Sequence, residues 1–294
     1  MRNFIGSRSI SKISYFCPKS LTEALDFLDN CKENVKILAG GTDVIPAVRS
    51  GKLLLIDNIN ILDIKSIDEL KHIVFEEEGL RIGATVTLSE VIESEIVKNN
   101  CPLLKKAIDQ IGSMQIRNWA TIGGNICNAS PAADSAVSLL ALDASLRLQS
   151  KGKSRLVPIN EFFVGPGKTK LKSDELLTEI IIPKRNGNST FIKLGRRNAF
   201  TLSLISIAVF VQMKDNVISD IKIALGAVAP TPIRAQNTEK ILIGGKITEE
   251  NLKTAVQTIK EEINPINDVR ASSEYRRDMS GELLRKALIN LFGI

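Results

Sequence analysis

The apolar positions along the chain predict several amphipathic helices. In the first, apolar residues recur every three or four positions behind Ser20, a favourable N-cap, and Glu23 occupies the capping-box position. The same spacing predicts further helices at residues 102–111, 135–142, 249–263 and 281–292, and one that starts at Thr87.

Short apolar runs bounded by glycine, proline and asparagine predict strands. Hairpins are expected across residues 76–79, 151–153 and 214–216, where turn-forming residues separate two such runs. Further strands are expected at residues 35–39, 53–56, 175–182 and 190–194. Residues 115–120 are expected to be extended, and residues 162–167 to form a tight loop.

A polar segment, Lys184–Asn188, is the expected boundary between two domains. The sequence before this segment mixes helices and strands. The sequence after it has strands followed by two helices, a pattern typical of a small α+β domain. The predicted domains are residues 1–185 and 190–294.

Composition narrows the class of protein. The 294 residues suffice for two folded domains, and no apolar run approaches the roughly 20 residues of a membrane span. Residues 1–12 lack the apolar core of a secretory signal. The net charge of +6 is spread among acidic residues and aromatic residues are few, so we expect no nucleic-acid partner.

The cysteines and the single histidine exclude several chemistries. The four cysteines are widely spaced, without a C-x-x-C pair for zinc or an iron–sulfur cluster, so we expect reduced thiols in a cytoplasmic protein. His72 is the only histidine and is expected at the surface. We therefore predict no catalytic residue and no metal site in this chain, and expect a bound cofactor to carry any chemistry.

Two segments rich in glycine and other small residues are the candidate binding elements. The first glycine segment is residues 39–43 (AGGTD), at the end of a predicted strand, and the second is residues 121–125 (TIGGN). Glycine lets a backbone approach a ligand closely, and its amides can then converge on an anion. A single Gly-Gly pair is most often a simple turn. Two of them predict one long ligand with a central diphosphate.

The first glycine segment differs from a dinucleotide-binding Rossmann motif. In that motif the glycines open a long helix, whereas Pro46 follows here within a few residues. A nicotinamide-dependent Rossmann dehydrogenase is therefore disfavoured.

The two glycine segments, with Ala129–Asp134 behind the second, resemble the FAD-binding medium subunit of molybdenum hydroxylases, the xanthine dehydrogenase and carbon monoxide dehydrogenase family. The resemblance covers nearly the whole chain and includes Asp268–Arg277 near its end. It implies an α+β fold, with an FAD-binding domain of the vanillyl-alcohol-oxidase (PCMH) type in two subdomains. A smaller C-terminal α+β domain of the CO dehydrogenase flavoprotein type would follow.

The resemblance also implies the residues that bind FAD. Those expected around the diphosphate are Ile37, Leu38, Ala39, Gly40, Gly41, Thr42, Asp43, Val44, Thr121, Ile122, Gly123, Gly124 and Asn125. Those expected near the flavin or its ribityl chain are Ile111, Asp134, Leu177 and Lys193. From the residues alone, Asp134 could instead cap a helix, Leu177 could be a core leucine and Lys193 a surface lysine. Arg276 and Arg277 are expected in docking or at the edge of the core.

The function implied by this resemblance is electron transfer through non-covalent FAD. A molybdopterin-binding large subunit would oxidise the substrate, as in xanthine dehydrogenase, and a [2Fe-2S] small subunit would deliver the electrons. NAD or another carrier would accept them from the flavin, within a heterotrimer. The alternative is a stand-alone FAD- or nucleotide-binding module without redox partners.

Overall fold

The computed structural model describes residues 13–31, 34–51, 59–197 and 201–293. The strand expected at residues 53–56 and the N-terminal residues 1–12 lie outside the described residues. The strands are β1 (Ile13–Phe16), β2 (Val35–Leu38), β3 (Ile59–Asp63), β4 (Ile73–Glu76), β5 (Gly79–Gly83), β6 (Ser145–Ser150), β7 (Lys153–Pro158), β8 (Phe163–Gly165), β9 (Lys168–Thr169), β10 (Leu176–Pro183), β11 (Asn188–Leu194), β12 (Ile205–Lys214), β13 (Val217–Gly226) and β14 (Ile233–Arg234).

Helices connect and cover these strands. They are α1 (Leu21–Asn30), α2 (Val44–Arg49), α3 (Leu88–Glu93), α4 (Glu95–Asn100), α5 (Pro102–Asp109), α6 (Met114–Arg117), α7 (Ile122–Cys127), α8 (Asp134–Ala141), α9 (Ile159–Phe162), α10 (Gln236–Leu242), α11 (Glu249–Glu262) and α12 (Ser273–Phe292). No helix in the described ranges is long and apolar enough to cross a bilayer.

Three main sheets organise the described chain. A parallel sheet has the order β1-β3-β2, and an antiparallel sheet of five strands has the order β4-β5-β10-β6-β7. The C-terminal part forms an antiparallel sheet in the order β11-β12-β13-β14. The strands β8 and β9 form a separate small hairpin.

The C-terminal sheet is covered on both faces, which explains the continuous apolar run in β12. Alternate residues from Ile205 to Val211 join the core beneath α11 and α12. Ala208 and Phe210, between them, join the core of the five-stranded sheet with α5 and α8. Because side chains alternate between the faces of a strand, a strand buried on both faces needs apolar residues at successive positions. The core of the five-stranded sheet is therefore built from both halves of the chain.

Several local predictions are confirmed. Ser20 caps α1 by accepting a hydrogen bond from the Glu23 amide. The helix expected to start at Thr87 is α3, and the structure adds a complete capping box between Thr87 and Glu90. The turn between β12 and β13 places Asp215 and Asn216 at φ of 52° and 61°, the left-handed region typical of a two-residue hairpin.

Other local predictions are wrong. Residues 115–120 are not extended, because α6 occupies Met114–Arg117 behind the N-cap Ser113. Residues 162–167 are not a simple loop, since β8 pairs with β9. The last helix begins at Ser273 rather than at Gly281. The first half of this helix buries polar side chains, which hydrogen-bond to the protein. The spacing of apolar residues therefore did not indicate a helix there.

Arg276 is the largest of these buried polar residues, and it lies in the core rather than at its edge. Its side chain is 1% exposed, and its Nη1 donates to the carbonyls of Leu204 and Ala227 at 2.6 and 2.8 Å. Its Nη2 donates to Asp268 at 3.0 Å. Burial alone would raise the pKa of Asp268, but hydrogen bonds from Arg270 and nearby amides hold it well below its usual range. The two carbonyl bonds join the start of α12 to the ends of β12 and β13, and the ion pair joins it to the segment that precedes α12.

His72 is half-buried rather than fully at the surface. One ring nitrogen lies 2.9 Å from Glu179 and the other 3.1 Å from the Glu69 carbonyl. Glu179 is 3% exposed and also accepts hydrogen bonds from Arg81 and Arg147. Burial opposes ionisation of Glu179, but these donors outweigh it and lower its pKa. The histidine thus belongs to a structural cluster on the five-stranded sheet.

The two arginines bound to Asp268 allow a matched test of stability. Arg276→Met removes the buried partner of Asp268 and leaves the carbonyls of Leu204 and Ala227 without their donor, so we expect it to lower the free energy of unfolding by about 3–5 kcal/mol. Arg270→Met removes an arginine that is 32% exposed, so its cost should stay below about 1 kcal/mol. Urea denaturation followed by circular dichroism measures both. Equal losses for the two variants would contradict the assigned role of Arg276.

Candidate functional site

Both glycine segments line one cavity. Its volume is about 340 Å³, and it lies between the end of β2, the start of α7 and the bulged part of β10. Predicted residues on its wall are Ile37, Ala39, Gly40, Gly41, Thr42, Asp43, Val44, Thr121, Gly123, Gly124, Asn125 and Leu177. The two segments lie far apart along the chain, and the fold brings both of them to the same cavity.

Close backbone packing holds the two segments together. A Cβ atom on Gly40 would lie 1.9 Å from the carbonyl oxygen of Trp119 and 2.9 Å from the Cα atom of Ala120. No side chain fits at that distance, so only glycine lets β2 end this close to the residues that precede α7. Ala120 and Thr121 then continue directly into the cavity wall.

The first glycine segment leaves its backbone donors unpaired. The amides of residues 40–44 donate to no acceptor in the described part of the chain. Gly41 has a φ of 75°, a left-handed conformation that reverses the direction of the chain before α2. Successive amides around such a residue form a concave donor site that suits an anion. Pro46 is tolerated in α2 because it lies in the first turn.

The second glycine segment is a helix rather than an open loop, which corrects the expectation that its amides are free. Thr121 caps α7, and its Oγ1 accepts a hydrogen bond from the Gly124 amide at 3.1 Å. The amides of Ile122 and Gly123 donate to the carbonyls of Val86 and Ala84. A Cβ on Gly123 would approach Ala84 to 2.6 Å, so this glycine permits close packing.

One face of α7 nevertheless presents polar side chains to the cavity. Thr121, Gly124, Asn125 and Asn128 stand at positions i, i+3, i+4 and i+7, which share one face of a helix, and all four line the cavity. The opposite face of the helix is in the core, where Ile122 and Ile126 are fully buried. The side chains of α7, rather than its amides, are therefore what this segment offers to a ligand.

The rest of the wall is largely apolar. Leu177 is 4% exposed, and belongs both to the core and to the wall. Residues that sequence reasoning missed are Lys36, Ile64, Ala84, Ala120, Cys127, Asn128, Leu171 and Leu176. Most carry no recognisable motif, because they reach the cavity from strands and loops that come together only on folding. Burial raises the pKa of the Cys127 thiol to about 12, so it remains protonated at neutral pH.

Two predicted residues, Lys193 and Asp134, lie outside this wall, at the contact between the two halves of the chain. Lys193 Nζ donates to Asp134 Oδ2 at 2.8 Å and to the Gln110 carbonyl at 2.7 Å. Asp134 Oδ1 accepts from Ser203 at 2.6 Å. Lys193 is therefore not a surface lysine, since its side chain is only 8% exposed. Asp134 is not the cap of α8, because Ala133 has that position.

The remaining predicted residues do not line the cavity either. Ile111 packs against the core of the five-stranded sheet, and its carbonyl accepts a hydrogen bond from Arg117. Ile122 is fully buried within α7, and Leu38 lies beside Gly41 behind the first glycine segment.

Comparison with protein families divides the chain into two matched regions. The model described as the FAD binding domain in molybdopterin dehydrogenase matches residues 11–185. The model described as the CO dehydrogenase flavoprotein C-terminal domain matches residues 190–291.

Similar proteins match over almost their whole length. The glyceraldehyde dehydrogenase medium chain of Sulfolobus acidocaldarius is 40% identical, with 94% of this chain and 97% of the relative covered. The putative xanthine dehydrogenase FAD-binding subunit of Escherichia coli is 35% identical, with 94% of each covered. The solved carbon monoxide dehydrogenase from Hydrogenophaga pseudoflava superposes with a TM-score of 0.91 at 31% identity, covering 97% of this chain and 99% of that one. These matches confirm the predicted fold class.

The contact at Gly40 gives a direct test of how the cavity wall is built. Gly40→Ala should lower the free energy of unfolding by about 1–3 kcal/mol, because the added methyl group collides with backbone rather than with a movable side chain. Gly165→Ala is the matched control, since its Cβ would have no neighbour within 4 Å. Thermal unfolding of both variants measures the difference. A Gly40→Ala protein as stable as the control would show that the two segments do not pack as described.

Proposed function

Because the chain belongs to the family of FAD-binding medium subunits of molybdenum hydroxylases, we propose that it binds FAD in the cavity between its two glycine segments and transfers electrons through it. The observation that carries the proposal is the row of unpaired amides at residues 40–44 on the cavity wall. These donors suit the diphosphate of FAD, and the polar side chains of α7 line the same cavity.

We propose that the wall offsets the charge of a diphosphate mainly with the dipoles of backbone amides, rather than with charged side chains. Among the described residues on the wall, Lys36 is the one basic residue and Asp43 the one acidic residue, so their side-chain charges nearly cancel. Backbone amides are fixed donors that need no counter-ion and lose no side-chain freedom when a ligand binds. We propose that Gly40–Val44 contact the diphosphate, and that Thr121 and Asn125 add a hydroxyl and an amide donor.

The apolar part of the wall suits a flat ring system. Leu177 projects from β10 at a bulge, beside Leu171 and Leu176. We propose that Leu177 packs against the flavin, and that Ile111, Asp134 and Lys193 contact the flavin or ribityl end where the cofactor reaches the contact between the two domains. There the buried Lys193–Asp134 pair would hold a fixed cation close to the cofactor.

The protein's own residues hold the cofactor and do not react. Bound FAD supplies the capacity to accept and release electrons singly or in pairs. The Cys127 thiol stays protonated, and His72 is bound to Glu179 away from the cavity wall, so a covalent histidyl link is not expected. We propose non-covalent binding, in which the chain positions the flavin and shields it from water.

The proposed partners follow from the family. A molybdopterin-binding large subunit would oxidise the substrate and a [2Fe-2S] small subunit would carry its electrons to this chain, in a cytoplasmic heterotrimer. NAD is the proposed final acceptor, and a xanthine-like substrate is one option. The relatives are named for glyceraldehyde and for xanthine, which supports the view that another subunit selects the substrate.

The first test of this proposal is FAD binding and its dependence on Gly41. The purified chain should carry flavin absorbance near ~370 and ~450 nm. Gly41→Ala places an L-residue in the left-handed region, which is strained, and so changes the directions in which the amides of residues 40–44 point. We therefore expect FAD affinity to fall about tenfold. Gly152→Ala carries the same backbone strain, at a φ of 68° in the distant β6–β7 turn, and should bind FAD normally. A wild-type chain that takes up no FAD would refute the proposal.

The second test concerns partners and the acceptor. The chain tagged at its own locus should co-purify with two further chains, one holding molybdopterin and one holding [2Fe-2S]. Adding NADH to this complex should bleach the absorbance near ~450 nm if NAD exchanges electrons with the flavin. Recovery of the tagged chain alone, loaded with FAD, would favour a stand-alone flavin-binding module. Unchanged absorbance with NADH would point to a different acceptor.

A further inference from the structure

Ser135 hydrogen-bonds to the cavity wall without being part of it. It lies in the first turn of α8, is fully buried, and does not line the cavity. Its hydroxyl donates to Oδ1 of Asn125 on α7. Asn125 does line the cavity and is half-buried. The hydroxyl therefore reaches the cavity only through the Asn125 carboxamide.

This contact determines which way the carboxamide points. A buried hydroxyl needs an acceptor for its one proton, and Asn125 Oδ1 is the acceptor that Ser135 has within the described chain. The amide oxygen must therefore face Ser135, since the NH2 group could only donate. The Asn125 Nδ2 group then points away from Ser135, and it has no acceptor in the described part of the protein.

We propose that Ser135 is a positioning residue for the cofactor. It holds the Asn125 carboxamide with its NH2 group toward the cavity, opposite the free amides of residues 40–44, so that it donates to a phosphate oxygen. The inference rests on the proposed binding of FAD in this cavity. It adds a residue that touches neither the cavity nor the ligand.

The arrangement has a specific chemical consequence. Without the Ser135 hydroxyl, the carboxamide can rotate by half a turn and present its oxygen to the phosphate, where two acceptors would repel each other. Replacing Asn125 by aspartate would keep an acceptor for Ser135. It would, however, place a carboxylate oxygen where the NH2 group had been, facing an anion.

A double-mutant cycle on FAD affinity tests the proposal. We expect Asn125→Ala to weaken FAD binding about tenfold, the lower end of the range for a hydrogen bond to a charged group, and Ser135→Ala about threefold to tenfold, since it leaves the carboxamide in place. The double variant should match Asn125→Ala alone, because Ser135 acts only through Asn125. Riboflavin, which lacks phosphate, should bind all variants as it binds the wild type. Fluorescence titration measures each dissociation constant.

Two further variants keep the test decisive. Ser138→Ala removes another fully buried hydroxyl of α8, one that bonds to the Ser135 carbonyl, and should leave FAD affinity unchanged. Asn125→Asp retains the Ser135 contact, so it tests the proposal even if Ser135→Ala does not fold. It should weaken FAD binding more than Asn125→Ala does. Normal FAD affinity in Asn125→Asp, or additive losses in the cycle, would overturn the role of Ser135 while the wild type still binds FAD.

Discussion

The contact between Gly40 and the Trp119 carbonyl is the constraint on which the candidate site depends. It brings the end of an edge strand in one sheet against the segment that leads into α7, and the cavity lies beside this contact. Any side chain at residue 40 would separate the two segments. The bond from the Leu88 amide to the Ala120 carbonyl fixes the same segment from its other side. The cavity is therefore held by backbone packing, which leaves side chains free to shape its surface.

The two glycine segments look alike in sequence but serve different physical needs. In the first, glycine permits a left-handed turn at Gly41 and leaves a row of amides without partners. In the second, Gly123 lets α7 pack directly on Ala84, and the helix amides are bonded within the protein. One wall thus presents unpaired backbone donors and the other presents side chains. A ligand with a compact anionic centre could accept hydrogen bonds from both the backbone donors and the side chains.

The sequence predicted the elements that local patterns determine, such as the cap at Ser20, the helix that starts at Thr87 and the hairpin across residues 214–216. It also placed both glycine segments in one site. It did not predict the helical state of the second segment, because the contacts that stabilise α7 come from residues 84–88. Nor did it predict that Leu171 and Leu176 would line the cavity, since nothing near them in the chain marks a binding wall. Contacts between residues distant in sequence override local propensity where the two favour different conformations.

The two matched regions are joined through buried contacts. Asp134 belongs to the first region, whereas Lys193 and Ser203, its partners, belong to the second. A buried carboxylate without these donors would be strongly unfavourable, so the first region needs the second for its own stability. The shared core, in which Ala208, Phe210 and Ala224 pack among residues of the first region, has the same effect. The C-terminal domain thus completes the interior of the FAD-binding domain rather than being a separable appendage.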